Sequence, residues 1–287
     1  MNRPPWLKKD PLIKGRGLTI LRQLKASGVH TVCNEAKCPN IAECFSRKCV
    51  TFMILGDACT RNCAFCGVSK SRPQPLDESE PVRVARAAES LGIRYCVITS
   101  VTRDDLEDGG AHQFARTVSM VKALGGTKVE VLTPDFSGDQ RAVETVLNSS
   151  PDVFAHNVET VPRLYELIRP RAEYHVSISL LRLVQRMGNT PTKSGLILGL
   201  GEKPSEVLSV MEDLRECGCD IITLGQYLPP TIHHTPPAEY ISPRQFENYR
   251  QKAVDFGFRV VFSGPFVRSS FQASKGYELC LSPLTPH

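Results

Sequence analysis

The sequence predicts an α/β fold, a partial (β/α)6 TIM-type barrel, and three observations lead there. Strand-like and helix-like segments alternate along most of the chain. The strand candidates are short, apolar and β-branched, as strands covered on both faces must be. The stretches between them repeat apolar residues at helical spacing, which makes them crossover helices between parallel strands. Six such strands with right-handed crossovers form an incomplete barrel rather than an eightfold one.

In order, the expected strands are residues 50–55, 95–101, 128–132, 152–155, 194–200 and 220–224. Helical faces are marked by Val84, Ala88 and Leu91; by Phe114, Val118, Val121 and Leu124; by Val143, Val146 and Leu147; and by Val207, Val210, Met211 and Leu214. Pro162 and Pro204 stand where the first turn of a helix tolerates proline. The Pro- and acid-rich stretch 71–81 is too short to be more than a loop. The chain therefore reads as one core with decorated ends: an extension over 1–49, a barrel over 50–225, and a closing extension over 226–287.

The 287 residues are 41% hydrophobic and 23% charged, the composition of an ordinary globular protein. No apolar run approaches the roughly 18 residues of a membrane span. Residues 1–14 lack both the apolar stretch of a secretory signal and the pattern of a transit peptide, so a cytoplasmic location is expected. A net charge of +5, dispersed along the chain, argues against nucleic acid and permits mild attraction to an acidic partner.

Six of the eleven cysteines form two triplets, Cys33-x4-Cys38-x5-Cys44 and Cys59-x3-Cys63-x2-Cys66. Each is one thiolate short of enclosing a tetrahedral metal or a cubane cluster, and an open position marks a reactive metal. Disulfides fit poorly with an odd cysteine count in a long chain. Structural zinc would want a second knuckle, and an electron carrier would want closed clusters. Cys49, Cys96, Cys217, Cys219 and Cys280 are expected to be buried thiols. The first triplet precedes the first strand, and the second follows it directly, at the strand ends that carry chemistry in parallel barrels.

The run Asp57-Ala-Cys59-Thr-Arg-Asn-Cys63-Ala-Phe65-Cys66 resembles the radical S-adenosylmethionine superfamily. That resemblance implies a 4Fe-4S cluster on Cys59, Cys63 and Cys66 whose open iron binds S-adenosylmethionine, from which a 5′-deoxyadenosyl radical is released; the organic chemistry is then the cofactor's. It also implies that Phe65 packs near the adenine or simply covers the cluster. Gly199-Leu-Gly201-Glu202 resembles a segment lying against the adenosyl group, or is a plain turn. Asn157 and Glu159 are placed to hold a ribose, or to act as caps.

A narrower resemblance, to the lipoyl synthase family, rests on C-x4-C-x5-C at Cys33, Cys38 and Cys44 and on Arg268-Ser-Ser-Phe271, with further agreement from Trp6 nearly to Ser274. It implies a sulfurtransferase that inserts two sulfur atoms at carbons 6 and 8 of a protein-bound octanoyl-lysine, with two S-adenosylmethionine molecules. Sulfur would come from a sacrificial auxiliary 4Fe-4S cluster on Cys33, Cys38, Cys44 and Ser270. Implied partners are octanoylated lipoyl domains of 2-oxoacid dehydrogenase complexes, the glycine-cleavage H protein, a flavodoxin- or ferredoxin-type electron donor, and an iron-sulfur carrier. Phe271 departs from the family's tyrosine, which removes a hydroxyl and keeps a ring.

Arg103 and Asp104 are expected in electrostatic or substrate-orienting roles, because radical abstraction needs no general base. His233 and His234, in a proline-rich loop, are read as gating or substrate contacts, or as plain surface. Biotin synthase-like enzymes share the second triplet but not the first. A ferredoxin-like carrier or zinc module would use the cysteines without S-adenosylmethionine.

Overall fold

The computed structural model describes residues 3–9 and 13–282. Its β-branched runs become a single sheet of eight strands whose spatial order follows the chain. These are β1 (His30–Thr31), β2 (Thr51–Ile54), β3 (Tyr95–Ser100), β4 (Lys128–Leu132), β5 (Val153–Ala155), β6 (Thr192–Leu198), β7 (Ile221–Gln226) and β8 (Val260–Gly264). β2 to β8 pair in parallel, and β1 lies antiparallel against β2 with Thr31 opposite Phe52.

Three short helices, α1 (Arg16–Ala26), α2 (Val32–Glu35) and α3 (Ile41–Ser46), surround β1. The crossovers carry α4 (Glu80–Leu91), α5 (Ala111–Lys122), α6 (Gln140–Asn148), α7 (Tyr165–Ile168), α8 (Tyr174–Met187), α9 (Pro204–Glu216) and α10 (Pro243–Asp255), and α11 (Ala273–Leu281) follows β8. The four amphipathic stretches foreseen are α4, α5, α6 and α9. α4 shows the logic: Val84, Ala88 and Leu91 are buried against the sheet, and Gly92, in the left-handed region at φ 63°, ends the helix. Burying one such valine or leucine contributes about 1.5–3 kcal/mol.

Three expectations need correction. The fifth core strand spans Thr192–Leu198 rather than 194–200, because Gly199 turns away at φ 93°. β1 and β8 were not foreseen; β1 has only two residues, and β8 is recognisable chiefly by its pairing with β7. Cys49 is exposed, since it follows the turn after α3 at left-handed Lys48, whereas Cys96, Cys217, Cys219 and Cys280 are buried.

Toward the strand N-termini the interior is polar but satisfied. Lys193 Nζ donates to Glu130 Oε1 at 2.9 Å, both residues being 1% exposed, and Tyr95 Oη donates to Glu130 Oε2 at 2.8 Å. α11 lies against β3 and β8, with the Tyr277 ring 5.9 Å from that of Tyr95. Among the described residues no helix is long and apolar enough to cross a membrane.

Candidate active site

The loop after β2 starts with two left-handed residues, Leu55 at φ 69° and Gly56 at φ 86°. Their amides donate to the buried carboxylate of Glu80 in the first turn of α4 (2.8 and 3.3 Å). The loop closes where Cys59 N donates to Ser69 O (2.9 Å), and it is tied to the end of β3 by Thr60 N to Thr102 O (3.0 Å). Cys59 Sγ accepts from the amides of Thr102 (3.3 Å) and Arg61 (3.5 Å).

Arg61, inside the triplet, holds the loop to the barrel. Its Nη1 and Nη2 donate to the two Asp135 oxygens at 2.6 and 2.7 Å, and Nη2 also reaches Asp104 at 2.8 Å. Burial works to raise both carboxyls, but the Arg61 hydrogen bonds and charge outweigh it and hold them below the ordinary carboxylate range. Arg103 is likewise turned inward, bidentate to Asp105 at 2.8 Å with its Nη1 on Leu55 O. Arg103 thus pairs with Asp105, and Asp104 with Arg61, so the charged groups of both are engaged within the chain.

Cys59, Cys63 and Cys66 are half-buried, and burial, with the neighbouring thiols, pushes Cys63 and Cys66 up. Burial pushes the Cys66 thiol up to about 11. Phe65 is half-buried beside them and packs on the core. The strap of residues 229–237 crosses this loop. His234 Nε2 donates to the Cys66 carbonyl at 3.2 Å, so Nδ1 accepts from Thr231 Oγ1 at 2.8 Å. His233 is exposed beside Ile232, which is 94% exposed at the tip.

After β5, Asn157 Nδ2 donates to Glu159 Oε1 at 3.0 Å. Glu159, at φ 65°, is locked to β6 by bonds from its amide to Gly195 O and from Ile197 N to its carbonyl. Gly195 makes room, since a Cβ there would lie 2.4 Å from Thr223 Oγ1 and 3.1 Å from Asn157 Oδ1. Behind them buried His156 is held neutral, its pKa pushed down to about 4 by burial; Nδ1 donates to Thr133 O and Nε2 accepts from Ser177. Gly199 has a reason within the chain: a Cβ would come within 2.3 Å of Gln226 Nε2 and of Glu239 O. Gly201, at φ 108°, has only Ala238 near, at 3.8 Å. The amides of Gly199 and Leu200 donate to the Glu202 carboxylate.

The first triplet sits on short pieces: Cys33 in α2, Cys38 after left-handed Lys37, Cys44 in α3. Burial, with the nearby Cys38 charge, pushes Cys33 and Cys44 up to about 12. Asn40 Nδ2 donates to Phe266 O at 2.6 Å, and Lys9 Nζ bonds Asn40 and Glu43 at 2.7 Å each. The segment carrying Ser270 enters the barrel mouth over Gly225, where a Cβ would lie 2.1 Å from Val267 O. Arg268 feels the charges of both Cys38 and Glu159, and Ser269 Oγ donates to Asn157 Oδ1 at 3.0 Å. Phe271 stacks edge-on against Phe262, 6.2 Å between centroids. The two cysteine loops touch, for a Cβ at Gly67 would meet Ala36 Cα at 3.5 Å.

Sequence reasoning missed Arg61, Asp135, Arg169 and Ser269. Arg169, 8% exposed, donates through Nη1 to Asn157 O and Val158 O, while its Nε has no partner among the described residues; burial pushes the Cys63 thiol up, and the Arg169 charge offsets part of that rise. An arginine directly after the apolar pair Leu167-Ile168 was the available signal for that residue.

Among the described residues no three His, Cys, Asp or Glu side chains close around a single metal ion. A four-iron cluster takes each thiolate on a different iron, and free thiols are the donor type it requires at each triplet. Thiols driven this high by burial need a positive group to ionise, and Cys59 already has amide donors of the kind that support cluster sulfur.

The family model of the radical SAM superfamily matches residues 53–225. A lipoyl synthase of Caldicellulosiruptor saccharolyticus is 50% identical over 275 residues, covering 95% of this chain and 96% of the relative. One of Caldanaerobacter subterraneus subsp. tengcongensis is 51% identical, covering 97% and 98%. Among solved structures, methylornithine synthase aligns with TM-score 0.56 at 14% identity, covering 74% of this chain and 70% of that one. Streptococcus suis SuiB bound to S-adenosylmethionine aligns with TM-score 0.58 at 12% identity, covering 78% and 53%. These two share the fold. The barrel, the two triplets and relatives about half identical over nearly the whole chain converge, and the chain belongs to the lipoyl synthase family of radical SAM sulfurtransferases.

Proposed function

We propose that this chain inserts sulfur at carbons 6 and 8 of an octanoyl-lysine on a partner protein, with two S-adenosylmethionine molecules per lipoyl group and sulfur from an auxiliary cluster that is consumed. The observation carrying the reading is the meeting of both chain ends at the barrel mouth, where Asn40 bonds Phe266 O and Ser269 bonds Asn157. In this reading 1–49 and 226–287 form one auxiliary unit laid over the barrel of 50–225.

Cys59, Cys63 and Cys66 hold one 4Fe-4S cluster, and Cys33, Cys38, Cys44 and Ser270 hold the other. When bound, the first cluster and S-adenosylmethionine supply a carbon radical able to remove unactivated alkyl hydrogens. Asn157 and Glu159 orient the ribose, Phe65 covers the adenine side, and Gly201 leaves the backbone open to the adenosyl group. Gly199 shapes that turn. Arg61, through Asp104 and Asp135, keeps the cysteine loop fixed, and Arg103 braces the same corner through Leu55 O.

Ser270 offers a hard oxygen to soft iron, a ligand suited to release. The strap bearing His233 and His234 screens the site and faces the incoming partner. Partners are octanoylated lipoyl domains or the H protein, with a flavodoxin- or ferredoxin-type reductant and an iron-sulfur carrier. The cytoplasm, which keeps thiols reduced, suits all eleven free cysteines.

The test is anaerobic incubation with an octanoyl-lysine peptide, S-adenosylmethionine and reductant, read by mass spectrometry. Two sulfurs should be gained. Cys59→Ala should abolish S-adenosylmethionine cleavage, and Cys38→Ala should keep cleavage while losing sulfur insertion; lipoyl product from Cys38→Ala would refute the donor assignment.

A further inference from the structure

Asn157 stands between the two cysteine regions, and both ends of its amide are engaged. Nδ2 donates to Glu159 Oε1 and Oδ1 accepts from Ser269 Oγ, each at 3.0 Å. A carboxylate oxygen only accepts, so turning the amide over would set Oδ1 against Glu159 and lose that bond, and the Ser269 hydroxyl supplies the second hold on the same orientation. Ser269 lies between Arg268 and Ser270. Just ahead of it, the carbonyl of Phe266 accepts from Nδ2 of Asn40, between Cys38 and Cys44, at 2.6 Å. The carbonyl of Val267 rests on Gly225, where no side chain intervenes. One short segment therefore touches the first triplet's surroundings and the polar pair beyond β5.

We infer that Ser269 couples cofactor binding to the state of the first triplet. While Ser270 is held at that triplet, Ser269 fixes Asn157 in the orientation that receives the adenosyl ribose. When the segment is released, Asn157 keeps only its bond to Glu159, and the ordering that Ser269 had supplied must be regained on binding. Ser269 is thus a positioning residue, acting through Asn157. The inference rests on the reading of Asn157 and Glu159 as ribose contacts. Coupling of this kind is reciprocal, so bound S-adenosylmethionine also favours the seated segment by the same factor. Its functional sense is economy of cofactor: a chain whose sulfur source has gone binds S-adenosylmethionine less well.

The experiment measures equilibrium binding of S-adenosylmethionine, anaerobically and without reductant, so that no turnover intervenes. Four proteins are compared: the unchanged chain with both clusters, Cys38→Ala loaded at the second triplet alone, Ser269→Ala, and the double variant. One hydrogen bond's worth of ordering corresponds to roughly two- to tenfold in affinity. Each single variant should lose that factor and the double variant should lose no more. Ser269→Thr, which keeps the hydroxyl, should bind as the unchanged chain and should still respond to Cys38→Ala.

Ser269→Ala binding as tightly as the unchanged chain, with its iron content and unfolding temperature intact, would overturn the inference. Losses that multiply in the double variant would overturn it as well. Asn157→Ala tells the two levels apart. If it leaves affinity unchanged, the ribose reading itself fails; if it weakens binding while Ser269→Ala does not, the coupling alone fails.

Discussion

The two cysteine triplets are held by different means. Cys59, Cys63 and Cys66 sit on a loop growing from β2, pinned by Glu80 to α4 and by Arg61 to the ends of β3 and β4. Cys33, Cys38 and Cys44 sit on four- and six-residue helices and the turn between them, fastened by Asn40 to Phe266 and by Lys9 to Glu43. The first arrangement is part of the barrel. The second is assembled from both ends of the chain, and its anchors are single hydrogen bonds and a partly exposed ion pair. Under the proposed function, the former would hold a site that persists through turnover, and the latter one that comes apart and is rebuilt.

The largest effect should come from breaking the barrel-borne anchor. Arg61→Met leaves buried Asp135 and half-buried Asp104 without their cation, and removing one partner of a buried pair such as Arg61 and Asp135 typically costs about 3–5 kcal/mol. Chemical denaturation of the cluster-free chain should show that loss. An unchanged midpoint would mean the loop is held by its backbone bonds alone.

Acid should reach the barrel side first. His156 has a folded pKa of about 4, below the ordinary imidazole value near 6.5, so the unfolded chain takes up the proton more readily. Its neutral burial contributes in full above about 6.5 and is lost as pH falls toward 4, on the order of 3 kcal/mol in all. Asp104 and Asp135, whose pKa values are depressed, give way only as pH falls below the ordinary carboxylate range. Denaturation between pH 7 and 4 checks this, and His156→Gln should flatten the slope. A slope that persists in His156→Gln would assign it elsewhere.

The smallest effect should come from the other triplet. Asn40→Ala removes the bond to Phe266 O and should cost about 1 kcal/mol, with auxiliary-cluster iron lost faster and the second triplet's iron unaffected. Iron release to a chelator, followed by absorbance, distinguishes the two pools. Equal release from both would remove the contrast drawn between them.

Much of this was readable before any coordinates. All six core strands and both triplets were placed from local pattern, because β-branched runs and cysteine spacing are properties of neighbouring residues. The Arg61 clamp was not, since its carboxylates lie 43 and 74 residues along the chain and nothing local marks them as partners. β8 depends on β7 for its pairing, and β1, at two residues, has no periodicity to detect. Gly199 left two readings open, a ligand-facing glycine or a plain turn, and only the fold reveals that Glu239 and Gln226 occupy the space beside it. Ser269 carries no local mark of its role, because only the fold reveals that Asn157 stands opposite it.

The Lys193 and Glu130 pair at the base of the barrel has a consequence on another timescale. Loss of either charge strands the other in the interior, whereas an apolar pair of similar volume would be tolerated. A lineage can therefore leave this state only by changing both positions nearly together. Across descendants of this chain the two sites should read as charged in step or apolar in step, with mixed states short-lived.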